Sequence, residues 1–538
     1  MPRVATSRLF TALALSAFAL TAAPAAALEA PVIQITQFQQ TIAETAADDR
    51  VLAAFYRGQN FAPIWTGADE AHADRRRALI AALSEADSHG LPGSAYDLPG
   101  LMQAMRSART DAERAALDVR LSRLFLDYAA DIQTGRLTPS RVDSSIVREV
   151  PLRDRNGYLI GLTQGDPAAF LKSLPPQSAE YTRLMREKLR LEALILRGGF
   201  GASVRGGTME PGDSGADVVA LRNRLMTMGY LPRSVTTTYD AAIEAAVQEF
   251  QRDHGLPDDG VAGATTLTEL NVPAEDRLKS VIVAMERERW INRDLGDRHV
   301  VVNLTDFRAR IMDQGKVYFE TRAVVGKNLV THRTPEFSDV MEHMIINPTW
   351  NVPRSIAVSE YLPALKRNPH ANGHLRIIDA RGRVVNRAEA DFSGYTATNF
   401  PFDLKQPPSS RNALGLVKFM FPNSNNIYLH DTPAKSLFAR DVRAFSHGCI
   451  RLNDPFDFAY ALLAWQTDDP EGLFKKHLNT GRETQVDLAN PLPVHLIYRT
   501  AVGQPKGHMS YRRDVYGRDA AIWNALAREG VELAGVQG

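Results

Sequence analysis

Cysteine is the scarcest residue here: one, Cys449, in 538. A single thiol cannot form an internal disulfide, so the fold must hold together without covalent staples. An excess of charge is also missing. The 63 basic and 62 acidic residues leave a formal net charge of +1, which gives no electrostatic footprint for a nucleic-acid partner. Beyond the N-terminus no stretch approaches the roughly 20 consecutive apolar residues of a membrane span. The chain has no G-x-x-x-x-G-K-[ST] phosphate loop and no His-Glu-x-x-His pattern. At roughly 150 residues per domain the length predicts about three or four structural units.

The N-terminus carries the first positive signal. Arg3 and Arg8 precede an apolar run from Leu9 to Ala23, and Pro24-Ala25-Ala26-Ala27 offers small residues for cleavage. This is the layout of a secretory signal over residues 1–27, and it predicts an exported, periplasmic protein without a stable span after cleavage. Disulfides are open to exported proteins, so a lone thiol there is intermolecular, inertly buried or chemically employed.

Residues 28–205 read as a mainly helical scaffold domain. Leu117, Leu121, Leu124, Phe125, Tyr128 and Ile132 recur at helical spacing. A second helix from Tyr181 carries Leu184, Leu189, Leu191 and Leu194 and stops at Gly198-Gly199. After a Gly- and Pro-rich boundary, residues 212–272 hold three short helical patterns. From His299 the period changes to two: Val300 to Leu304 and Phe307 to Ile311 read as strands, with a hairpin turn at Asp313-Gln314-Gly315-Lys316. A mostly-β domain is predicted over 298–505, with an insertion at 359–401 and a C-terminal segment at 506–538. The whole reads as a multidomain α+β chain.

Cys449 lies in Ser446-His447-Gly448-Cys449-Ile450-Arg451. A thiol with a pKa of about 8.5 is a few per cent thiolate at neutral pH, so nucleophilic use needs a base. His447 and His430 are the candidates, and His430 ends an apparent strand, Asn426 to Leu429. Gly448 permits a turn that aims consecutive N–H groups at one point, as an oxyanion hole requires. Asp454-Pro455 reads as the N-cap and first residue of a helix carrying Phe456, Phe458 and Leu462. Cys449 is therefore expected on a short turn shortly before that helix. His430, His447 and Cys449 are zinc-ligand types, but with no second cysteine no metal site is predicted.

The stretch Tyr428 to Asp454, with His430 and then Ser-His-Gly-Cys about fifteen residues later, resembles the L,D-transpeptidase catalytic domain. INPTWNVPRSIA and YLHDTP resemble the large periplasmic branch of that family. MGYL, YDAAIEAAVQEFQRDHGL and DDGVAGATTLTELN resemble the three-helix peptidoglycan-binding module. The resemblance implies Cys449 as nucleophile, His430 as base and the Asp431 backbone carbonyl as its orienter. It implies His447, Gly448 and the Cys449 amide on the oxyanion side with Ser446 supporting them, and Tyr428 and Arg451 as substrate-binding residues. It further implies a capping role for the insertion and no cofactor. The implied reaction is 3–3 cross-linking of peptidoglycan tetrapeptide stems, donor and acceptor alike, through a thioester. Hydrolysis by water, transfer to a protein amine, and a purely wall-binding protein are the competing readings.

Overall fold

A computed structural model describes residues 35–533; the expected signal at 1–27 lies outside the described residues. No helix among them is long and apolar enough to cross a membrane. The N-terminal region is helical throughout. Its longest helix, Asp111–Thr134, opens on a capping box in which Thr110 and Glu113 satisfy each other's backbone N–H groups. Leu117, Leu121, Phe125, Tyr128 and Ile132 are buried along it, as the spacing predicts. On the helix Ala179–Ile195, Leu184 and Leu191 are buried but Leu189 faces solvent, so the expected stripe is narrower.

Helices Ala216–Met228, Ala241–Asp253 and Ala264–Leu270 make the central module. Its core residues Leu221, Leu225, Ile243, Val247, Phe250 and Leu270 are continuous with Tyr181 and Leu184 of the N-terminal region and with Ile522 and Leu526 near the C-terminus. The module is thus packed into the molecule and is not a bead on a linker. The following helix, Ala274–Trp290, is buried almost all round. Burial of its charges is offset by pairing: Arg289 with Glu286 (2.7 Å), Arg287 with Glu336 (2.6 Å) and Glu288 with Arg499 (2.6 Å).

The catalytic-type domain is built on one nine-stranded sheet. Its strands are β1 (Arg298–Asn303), β2 (Arg308–Asp313), β3 (Lys316–Gly326) and β4 (Phe337–Ile346), then, after the insertion, β8 (Val417–Met420), β9 (Leu429–His430), β10 (Ala444–Ser446), β11 (Ile450–Leu452) and β12 (Thr484–Ile497). The spatial order is β10-β3-β11-β9-β8-β4-β12-β1-β2. The β2–β3 turn uses Gln314 and Gly315, both at positive φ (49° and 72°), as the hairpin signal predicts. Within the insertion, β5 (Trp350–Asn351), β6 (Arg376–Ile378) and β7 (Asp403–Gln406) form a separate small sheet in the order β5-β7-β6. Its own core runs from Trp350 through Phe392 and Phe400 to Leu414. The inserted unit, expected from the resemblance to act as a cap, is therefore wider at both ends than the 359–401 read from the sequence.

The C-terminal segment is also built in. Strands β13 (Ala501–Gly503) and β14 (Met509–Tyr511) pair, and the helix Arg518–Arg528 packs on Ala274–Trp290. Its Arg518 guanidinium donates to Glu336 (3.1 Å) and to the Thr334 carbonyl (2.9 Å), deep in the catalytic-type domain.

Candidate active site

Strand register alone assembles the centre. In the parallel pair β9–β11, Ile450 lies opposite Leu429 and Arg451 opposite His430. Across the antiparallel pair β8–β9, Lys418 lies opposite His430 and Phe419 opposite Leu429. Side chains alternate along a strand, so Phe419, Leu429 and Ile450 share one face, where all are fully buried in the core. Lys418, His430 and Arg451 then form a row on the other face, and the residues two positions back, Tyr428 and Cys449, continue it. The sequence pattern placed Cys449 before a helix. The structure puts the strand β11 directly after it, and the helix Pro455–Leu463 follows only after that strand. Asp454 does not cap that helix with its side chain; its carboxylate takes hydrogen bonds from Thr321 (2.8 Å) and Asn453 (2.7 Å) instead.

The turn before Cys449 is closed by its own residues. Gly448 has φ 122°, a conformation that disfavours any side chain. Ser446 Oγ accepts from the Gly448 N–H (3.1 Å) and donates to the Cys449 carbonyl (2.5 Å). The Gly448 N–H is thereby occupied within the turn. From the outside, Thr334 Oγ1 donates to the Gly448 carbonyl (2.7 Å) and accepts from the Gly326 N–H (2.9 Å). Gly326 has no room for a Cβ, which would lie 2.0 Å from the His332 carbonyl.

His430 is buried, and its Nδ1 lies 2.5 Å from the Asp431 carbonyl. The Asp431 carboxylate is spent elsewhere, accepting from the Leu416 N–H (2.9 Å) and Lys435 (2.9 Å). A donor bond from Nδ1 to the carbonyl leaves Nε2 as the basic nitrogen. Burial, and then the positive Arg451, push the His430 pKa down to about 3. Burial pushes the Cys449 thiol up to about 11, against the opposing pull of Tyr428, Arg451 and Lys418. Both shifts run the same way, toward a neutral thiol and a neutral imidazole at rest. In this conformation the half-buried thiol points to the Asn426 carbonyl (3.5 Å).

Two cations look onto the thiol. Arg451 has no carboxylate partner among the described residues, and its buried Nε has no hydrogen bond. Lys418, which the sequence reading did not single out, has its ammonium 5.8 Å from the Tyr428 ring centroid, and burial lowers its pKa. Its only sequence signal is a lysine inside an otherwise apolar strand, Val417-Lys418-Phe419-Met420. His447 is not turned toward the thiol: its Nε2 lies 2.6 Å from Glu360 of the cap.

A cysteine, a buried histidine, an amide-bearing turn and two cations gathered on one face of a β-sheet are groups of the kind that thiol-dependent acyl transfer uses. Comparison with known proteins gives each region a family match. Residues 297–476 match the L,D-transpeptidase catalytic domain, 214–270 match a family described as "Putative peptidoglycan binding domain", and 50–187 match one described as "Scaffold domain". Residues 297–476 are thus an L,D-transpeptidase-type catalytic domain, joined to a peptidoglycan-binding-type module and a scaffold-type region. A Haemophilus influenzae protein named "Putative L,D-transpeptidase" is 32% identical over 244 residues, 45% of this chain and 48% of that protein. The chain thus spans about half the length of the curated relative it matches. Similar solved structures include an L,D-transpeptidase from Xylanimonas cellulosilytica (15% identity, TM-score 0.17, 55% of this chain and 98% of that one). Another is an L,D-transpeptidase from Stackebrandtia nassauensis (14%, TM-score 0.21, 55% and 97%).

Proposed function

We propose that the chain is an exported, periplasmic peptidoglycan L,D-transpeptidase that forms 3–3 cross-links through a Cys449 thioester. The observation that carries this reading is the single row Lys418–His430–Arg451 with Cys449 and Tyr428 beside it, set by strand register. Cys449 Sγ attacks the carbonyl of the L-centre residue at stem position three as His430 Nε2 takes the thiol proton. The negative charge passes to the carbonyl oxygen, held by the Cys449 amide. Collapse breaks the amide bond to the terminal D-alanine, whose nitrogen receives the proton from His430. An amine from a second stem then attacks the thioester and gives its proton back through His430 to the sulfur. One amide replaces another, so no ATP is consumed.

The neutral resting pair suits this order of events. A thiol kept protonated until a carbonyl arrives is spared oxidation and alkylation in an exterior compartment. Lys418 and Arg451 supply positive charge for the anion that develops and for a stem carboxylate. The cap excludes water and so favours aminolysis of the thioester over hydrolysis.

Acylation by a carbapenem tests the covalent step. Intact-mass analysis should show one adduct on the wild-type chain, mapped to Cys449, and none on Cys449→Ala. An adduct on another residue would overturn the assignment.

A further inference from the structure

We propose that His332, Glu360 and His447 form a binding site for one divalent transition-metal ion of the zinc class, at the seam between cap and catalytic turn. The three residues come from separate segments: His332 from the loop between β3 and β4, Glu360 from the first helical turns of the cap, and His447 from the turn that carries Cys449. One ligand atom from each lies within 4.8 Å of the others, and no other such group occurs among the described residues. Two imidazoles and a carboxylate are a zinc-type donor set, and three protein ligands leave a fourth tetrahedral position open. Tetrahedral bonds of about 2.0–2.1 Å put ligand atoms roughly 3.3 Å apart, so closure needs the side chains to draw in by about 1.5 Å at most. Glu360 Oε1 and His447 Nε2 are hydrogen-bonded at 2.6 Å and would open by about 0.7 Å to admit the ion in place of the shared proton, and the His332 and His447 ring centroids are 4.6 Å apart. None of the three is locked in the core.

The surroundings of His332 fit a ligand. Its Nδ1 is engaged with Thr331 Oγ1 (2.8 Å), which fixes the ring and leaves Nε2 to the metal. Occupancy would tie the cap to the catalytic turn at a residue two positions from Cys449. The bound state is therefore a closed one, with access to the thiol slowed.

The test uses the full chain carrying Cys449→Ala, so that the thiol cannot compete, stripped with a chelator and titrated with zinc chloride by calorimetry. One equivalent should bind, and His332→Ala and Glu360→Gln should each weaken binding at least tenfold. Absence of saturable one-to-one binding, or affinity unchanged by both substitutions, overturns the site. In the chain that retains Cys449, one equivalent of zinc should slow iodoacetamide alkylation several-fold, and His332→Ala should abolish that protection. Zinc bound without protection would refute the closed state. The binding arm is independent of the acyl-transfer reading, since it uses a chain without the nucleophile.

Discussion

Thr334→Val asks whether the catalytic turn is held from outside the site. The substitution keeps the side-chain shape and removes one hydroxyl, which serves two buried groups: it donates to the Gly448 carbonyl at 2.7 Å and accepts from the Gly326 N–H at 2.9 Å. Thr334 is fully buried, so neither group is readily compensated. An orphaned buried donor or acceptor costs about 1–3 kcal/mol, which puts the loss at about 2–6 kcal/mol for the pair. A domain stable by about 5–15 kcal/mol survives this, so the variant should still fold. The released Gly448 carbonyl belongs to the peptide unit that carries the Cys449 amide. A shift of the order of 1 Å there should slow acylation by about a hundredfold. Tyr516→Phe is the graded control: its hydroxyl donates to the Gly326 carbonyl (2.5 Å), one layer further out, and its effect on rate should be smaller. Urea unfolding and carbapenem acylation followed by intact mass read the two effects. A Thr334→Val chain within about 0.5 kcal/mol of wild type and within twofold in acylation rate would refute the reasoning.

Iodoacetamide alkylation of Cys449 should accelerate up to about pH 11, the value to which desolvation pushes the thiol, and an inflection between 8 and 9 would contradict a thiol held neutral at rest. Lys418→Met should move that profile to higher pH, because it removes a cation that favours the anion; an unchanged profile would discard Lys418. The folded pKa of His430, about 3, lies below the unfolded value, so the unfolded chain takes up this proton first. Its contribution is complete above about pH 6.5 and falls by about 1.4 kcal/mol per unit toward pH 3. His430→Gln should lower the acid slope of stability by one proton, measured by urea midpoints from pH 7 to 4. Deleting residues 212–272 should lower the melting temperature of the remainder, because that core is shared with Leu184 and Ile522; an unaltered melt would show an independent module.

Cys449 and His430 were legible because a short motif carries its own chemistry. The row they belong to was not, because no local pattern says which strands pair. Lys418 becomes a site residue only when β8 lies beside β9 and both show the same face. The helix Ala274–Trp290 escaped notice for a related reason. Glu286-Arg287-Glu288-Arg289 has the text of a solvent-facing helix, yet each is buried against a partner distant in the fold or on the same helix. Periodicity reads hydrophobic contrast and is blind to burial secured by ion pairs. The C-terminal segment likewise looked separate, although Tyr516 and Arg518 reach the residues that brace the catalytic turn.

Mass spectrometry of products from purified disaccharide-tetrapeptide tests the central claim most directly. The wild-type chain should release D-alanine and yield a dimer joined between third-position residues, and Cys449→Ala should leave the substrate unchanged. Tripeptide monomer without dimer would replace transfer to an amine by hydrolysis, and wild-type dimer formation by Cys449→Ala would contradict the account.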